Sequence, residues 1–150
     1  MLRQPEQRQE TFSNYQFHNI GVPTNSQLRL SNGVANDFQD PGLLGNPQVS
    51  NQQHAGKFKV PSLRNVAITG PYMHNGVFQQ LSTVLAFYDQ FNNPKRALNP
   101  ETGLPWRPAE TPTTVNHKLL IAKTLDDRKL LALEAFLKTL TDKRYESQLE

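Results

Sequence analysis

Apolar residues recur at helical spacing in two stretches of the chain. Leu81, Val84, Leu85, Tyr88 and Phe91 fall three and four positions apart, drawing one apolar stripe along a helix predicted over 81–91. Asn92, Asn93 and Pro94 follow at once and end it. A second helix is predicted from about 125 to 140, with Leu130, Leu133, Leu137 and Leu140 as its inner face. Thr124 is placed as its N-cap, Asp126 and Asp127 lie in its first turn, and Lys138 stands near its end, where the macrodipole favours a cation. A shorter helix or turn is expected over 117–123.

Elsewhere the pattern breaks down. Pro23 to Gln53 is dominated by Asn, Gln, Ser and Gly, with an Asp-Pro-Gly turn in "NDFQDPGLLG". Lys95 to Asn116 is rich in Pro, Thr and Asn, and reads as a long surface excursion anchored by Trp106. Two short helices bury too little apolar area to offset an ordering cost of roughly 1 to 2 kcal/mol per residue over such loops. The pattern is therefore that of a shell that expects a filler: a large apolar cofactor or a partner segment.

Composition narrows the chemistry. The 150 residues carry 16 Lys and Arg against 13 Asp and Glu, a formal charge of +3 spread along the chain, which argues against a nucleic-acid partner. No apolar run approaches the ~20 residues of a membrane span, and "MLRQPEQRQETF" lacks the apolar centre of a signal peptide. Zero cysteines exclude disulfides, thiolate metal sites and a Cys-x-x-Cys-His haem attachment made by this chain. The histidines, His18, His54, His74 and His117, form no helical pair of the zinc-hydrolase type, and phosphate-loop, dinucleotide and serine-hydrolase motifs are absent.

One dense stretch remains. "FKVPSLRNVAITGPYMHNGVFQQLSTVLAFYDQF", from Phe58 to Phe91, resembles the signature of the C-terminal haem domain of bacterial di-haem cytochrome c peroxidases, and more closely that of their MauG-like relatives. "FSNYQFHNIGVP", Phe12 to Pro23, resembles the segment that follows haem attachment in those proteins, and "LLALEAFLKTLT" resembles their closing helix. The resemblance implies an all-α, cytochrome-c-like domain with long loops over residues 1–150. It also implies a c-type haem, a second haem on a preceding domain, a calcium ion between the two, hydrogen peroxide as oxidant and a periplasmic setting. The N-terminal haem domain and an electron-donor protein or protein substrate are the partners it implies. The family's attachment motif belongs just upstream of Phe12, so the chain is expected to be an N-terminally truncated C-terminal domain, inactive by itself. The alternative is a haem-free binding or interaction module derived from that domain.

Carried over residue by residue, the family's distal axial ligand falls fourteen positions after the histidine of its Pro-Tyr-x-His motif, which here is Tyr88. Read from the pattern alone, Tyr88 is a core aromatic on the Leu81 stripe. Classical peroxidases carry Met at that place, whereas a phenolate favours ferric and higher-valent iron. Met73 is the rival ligand, with packing as its other role. His74 is placed at the haem edge or as a hydrogen-bonded structural residue. Lys59 and Arg64, flanking Pro61, are cations for haem propionates, with surface solvation the other reading of Lys59 and a domain interface that of Arg64. Thr69 and Pro71 match the positions whose backbone carbonyls bind calcium in the family, or else form a tight turn.

Overall fold

The computed structural model describes residues 12–35 and 37–149. The described chain is all-α, apart from one ladder of two-residue strands. β1 (Phe17–His18) pairs antiparallel with β2 (Phe58–Lys59), Phe17 opposite Lys59 and His18 opposite Phe58. Four α-helices are α1 (Ser26–Asn32), α2 (Leu81–Asp89), α3 (His117–Leu120) and α4 (Asp127–Lys138). Single turns of 3-10 helix punctuate the loops between them. Among the described residues, no helix is long and apolar enough to cross a membrane.

The two strongly periodic helices form where expected, each a little shorter. Gln80, before α2, offers no side-chain cap. Instead the Glu101 carboxylate, from the 95–116 excursion, accepts the Gln80 N–H at 2.9 Å and the Gln79 N–H at 3.0 Å. It thus places a negative charge at the positive end of the helix. α4 is capped by Asp126, not by Thr124: Asp126 has extended backbone and accepts the Lys129 N–H at 2.8 Å, because it, and not Thr124, immediately precedes the first helical residue.

α1 is the helix that composition hides. It buries none of its residues, so no apolar stripe announces it. Its ends are nevertheless specified, Asn25 accepting the Leu28 N–H at 3.1 Å and Gly33 closing it in the left-handed conformation. α3 falls within the segment where a short helix or turn was expected, with Asn116 as its cap.

The core is small and aromatic. Phe78 and Phe87 are each 1% exposed, meet at 5.3 Å between ring centroids, and pack on Val22. Trp106 stands edge-on to both, at 5.8 and 5.7 Å, and donates its indole N–H to the Arg96 carbonyl at 2.6 Å. Burying two phenylalanines is worth about 1.5 to 3 kcal/mol each. Side-chain amides and carboxylates must therefore satisfy the polar backbone of the loops around this core. Asn19 does so at 5% exposure, donating to Thr111 O at 2.7 Å and Thr114 Oγ1 at 2.9 Å and accepting the Gly21 N–H at 2.9 Å. Glu110 accepts the Asp40 N–H at 2.7 Å and pairs with Arg29.

α2 is apolar on two sides. Phe87, Ala86 and Thr83 are buried, with Phe87 forming part of the aromatic cluster. The stripe read from the sequence, Leu81 through Phe91, is mixed: Leu81 is buried, Val84 and Leu85 are half-buried, and Tyr88 and Phe91 are 44% and 38% exposed. Of the four leucines expected on the inner face, only Leu137 is buried, at 8%; Leu133 is 37% exposed, Leu130 is half-buried, and Leu140, half-buried, lies beyond the end of α4. Part of what these faces look onto is a cavity.

Candidate cofactor cavity

The cavity has a volume of about 800 Å³. One wall is the stripe of α2: Leu81, Val84, Leu85 and Tyr88. Leu133, Phe136 and Leu137 of α4 line it as well, with Phe12 packed edge-on against Phe136 at 5.8 Å. The segment Val60 to Leu63, with Val66, lines a further side, and Ile20, Val22, Tyr72 and Met73 contribute more apolar lining. Part of the apolar face of each helix thus meets a shared void, while Leu130, Leu140 and Phe91 of those faces lie outside its lining.

The lining is mostly apolar by area but also carries polar side chains, the Asp40 and Glu110 carboxylates among them. The Tyr88 hydroxyl has no hydrogen-bond partner among the described residues, and burial pushes its phenol above the ordinary tyrosine value. A phenol without a partner on a mostly apolar cavity is a free oxygen donor. His74 stacks flat on Phe58, with ring centroids 3.5 Å apart and planes 8° from parallel. Desolvation lowers its pKa, against the opposing pull of the Asp40 and Glu110 carboxylates, so the neutral imidazole is favoured. Lys59 lines the cavity from β2 with its ammonium 5.2 Å from the Tyr15 ring centroid.

Thr69 and Pro71 also line the cavity. The Thr69 hydroxyl donates to Val66 O at 3.2 Å, while the main-chain carbonyls of Thr69 and Pro71 accept no hydrogen bond among the described residues. The Gly70–Pro71 peptide is cis. Met73 lies in the lining with a left-handed backbone (φ 69°) and packs against the aromatic core. Among the described residues, no group of three or more His, Asp or Glu side chains is arranged to hold a metal ion.

The structure therefore brings Tyr88, Lys59, His74, Thr69 and Pro71 to one cavity, and Arg64 is not in its lining. Arg64 is exposed in the turn after Ser62, and its charge, after the larger effect of Arg144, helps hold the Asp142 carboxyl low. Several lining groups escape a reading based on motifs, among them the Asp40 and Glu110 carboxylates, His18 and Phe136. His18 reaches the cavity from β1, and Phe136 comes from α4. For His18 the available signal was its place within "FSNYQFHNIGVP"; Phe136 lies outside the Leu130–Leu133–Leu137–Leu140 face and had none.

This lining suits a planar, largely apolar cofactor. Its volume falls within the ~300 to 1,000 Å³ of ligand pockets, its walls are apolar, a phenol oxygen is available as an axial donor, and a lysine can meet an anionic edge. These are the requirements of a haem held through its iron and its propionates.

No family model matches the chain. It is 49% identical over 144 residues to the methylamine utilization protein MauG of Paracoccus denitrificans (strain Pd 1222), covering 94% of this chain and 37% of that protein. It is 34% identical over 95 residues to the cytochrome-c peroxidase IdrP1 of Denitromonas iodatirespirans, 51% of this chain and 25% of that protein. Among solved structures it is similar to the diheme peroxidase BthA from Burkholderia thailandensis E264, with a TM-score of 0.62 and 28% identity over 87% of this chain and 34% of that one. A MauG-like protein associated with microbial copper homeostasis gives a TM-score of 0.58 and 25% identity over 90% and 35%. The chain spans about a quarter to a third of the length of these relatives.

Proposed function

From its kinship with the MauG and di-haem cytochrome c peroxidase proteins, in sequence and in all-α, cytochrome-c-like fold, we propose that this chain forms the C-terminal haem domain of a peroxide-using di-haem oxidoreductase. The observation that carries the proposal is the unpartnered Tyr88 phenol, presented by α2 to a mostly apolar cavity of about 800 Å³. In this reading Tyr88 would supply an oxygen to the haem iron. Leu81, Val84 and Leu85 on its own helix, with Leu133 and Leu137 of α4, exclude water from around the cofactor. Lys59 offers a cation to the propionate edge and His74 a neutral imidazole.

The bound c-type haem supplies one-electron chemistry, and an anionic oxygen ligand biases it towards the oxidised states. Burial favours the protonated phenol; a cation in the site favours the ionised one, so ligation and proton loss at Tyr88 Oη go together. The chain has no cysteine, so thioether attachment of the haem is not made by these residues. The Thr69 and Pro71 carbonyls are proposed as two of the oxygens around a calcium ion shared with an N-terminal haem domain. Arg64, outside the cavity and exposed, suits a contact with that domain better than a propionate. The proposed setting is the periplasm, with an electron-donor protein or a protein substrate as the redox partner.

The test is a titration of the chain with ferric haem, followed by absorbance and electrochemistry. A shifted Soret band is expected for the unaltered chain. Tyr88→Phe, which keeps the ring and removes the oxygen, should open a coordination site and change the ferric spectrum. Tyr88→Met should raise the midpoint potential, because a thioether favours the reduced iron. Unaltered spectra and potential in both variants would overturn the ligand assignment, and no Soret shift in the unaltered chain would favour a haem-free interaction module.

A further inference from the structure

Asp89 directly follows Tyr88 and ends α2, and it is the only acidic side chain buried among the described residues, at 3% exposed. Both facts weigh against a carboxylate. A buried charge is costly unless fully paired, and a negative group at a helix C-terminus opposes the macrodipole. Asp89 offsets these costs with a set of long-range bonds. Its Oδ1 accepts the Leu125 N–H at 2.8 Å, and its Oδ2 accepts Asn93 Nδ2 at 2.8 Å and Arg96 Nε at 3.2 Å. Its main-chain carbonyl accepts the Asn92 and Asn93 N–H groups, both at 3.0 Å.

The neighbours of Asp89 extend the same seam. Asn93 also donates to Leu125 O at 3.1 Å, and Asn92 donates to Leu120 O at 2.7 Å while accepting the Ala122 N–H at 2.9 Å. Leu125 lies two residues before the start of α4, the helix that brings Leu133, Phe136 and Leu137 to the cavity. The end of α2 that carries Tyr88 is thus stitched to the chain leading into α4.

We propose that Asp89 is a positioning residue for Tyr88: its carboxylate fixes the end of α2 against the chain entering α4, and so sets the spacing between the phenol and the α4 lining of the cavity. The inference rests on the reading of Tyr88 as the axial ligand. Asp89 is not in the cavity lining and acts through the helix end that it holds.

The experiment is a ferric haem titration of the full chain with Asp89→Asn, Tyr88→Phe, the double variant and Asp127→Asn. Asn keeps the size and one acceptor of Asp89 but turns an NH₂ group towards Asn93 Nδ2 and Arg96. The single D89N variant should lose roughly tenfold in haem affinity, the factor carried by about one charge-assisted hydrogen bond. Its ferric spectrum should move towards that of Tyr88→Phe, and in the Y88F background it should add no further spectral change. Asp127→Asn, which removes only the exposed partner of Arg96, should leave affinity and spectrum unchanged. Should D89N not fold, Asn93→Ala, which removes the Asn93 amide that bonds both Asp89 and Leu125 but leaves the carboxylate and its Leu125 and Arg96 bonds in place, should shift the spectrum in the same direction. A D89N or N93A chain that is less stable but keeps the unaltered spectrum, or a D89N effect that persists in full without the phenol, would overturn the inference alone. A Y88F chain with an unaltered spectrum would overturn the ligand reading, and this inference with it.

Discussion

Leu133→Ala tests whether the lining contributed by α4 is the surface that a bound cofactor covers. In the cofactor-free chain Leu133 is 37% exposed, so truncation removes a side chain that is only partly out of water. With full burial of a leucine worth about 1.5 to 3 kcal/mol, the expected cost there is about 1 to 2 kcal/mol. Leu137, at 8% exposed on the same helix, should lose the roughly 2 to 5 kcal/mol of a packed leucine whether or not haem is bound. Haem in the cavity would cover the remaining exposed part of Leu133 too, raising its cost by about 0.5 to 1 kcal/mol; by linkage the variant should then bind haem roughly 2- to 5-fold more weakly. The assay is urea unfolding of each variant with and without ferric haem, together with a haem titration. Leu131→Ala is the control: Leu131 is 67% exposed and outside the cavity lining, and its replacement should stay within about 0.5 kcal/mol of neutral in both states. Equal costs for Leu133→Ala with and without haem, and an unchanged haem affinity, would refute the reasoning.

Two further outcomes follow from the same cavity. Desolvation raises the Tyr88 phenol in the cofactor-free chain, so its contribution to stability is complete below the ordinary tyrosine value near 10.0 and is lost as pH climbs through the raised value; the tyrosinate absorbance missing from Tyr88→Phe should therefore appear later than that of a free tyrosine, and an ordinary midpoint would contradict the raised value. Calcium should bind the chain alone only weakly, because the two neutral carbonyls of Thr69 and Pro71 are far short of the ~6 to 8 oxygens the ion takes; calorimetry showing tight binding would overturn the shared-site reading.

The positions of α2 and α4 were legible in the sequence because helical periodicity is a local property; their N-terminal partners were not, α2 being served by Glu101 from the later excursion and α4 by Asp126 in place of Thr124. Tyr88, four positions from Val84 and seven from Leu81, had to share their face in any helix over that stretch. The resemblance carried by Phe58 to Phe91 placed Thr69, Pro71, His74 and Tyr88 in one segment, and the structure brings all four to one cavity. The absence of cysteine excludes thioether attachment made by these residues.

What a face packs against is not a local property. The Leu81–Tyr88 stripe could have met protein; only the arrangement of residues dozens of positions apart, Val22, Phe78, Phe87 and Trp106 around one point, left the stripe facing a void. For the same reason Phe87, off the stripe, became core while Leu133, on the expected inner face, stayed half open. α1 was hidden because it buries nothing, and its caps become informative only once Asn25 is seen bonding also to the carbonyls of Asn75 and Gly76. Asp89 looked like an ordinary acid ending a helix, and its burial depends on Leu125, thirty-six residues later. Sequence periodicity determines which residues of a helix point the same way; the chain's distant hydrogen bonds and its few large aromatics decide whether that direction is core, solvent or cofactor.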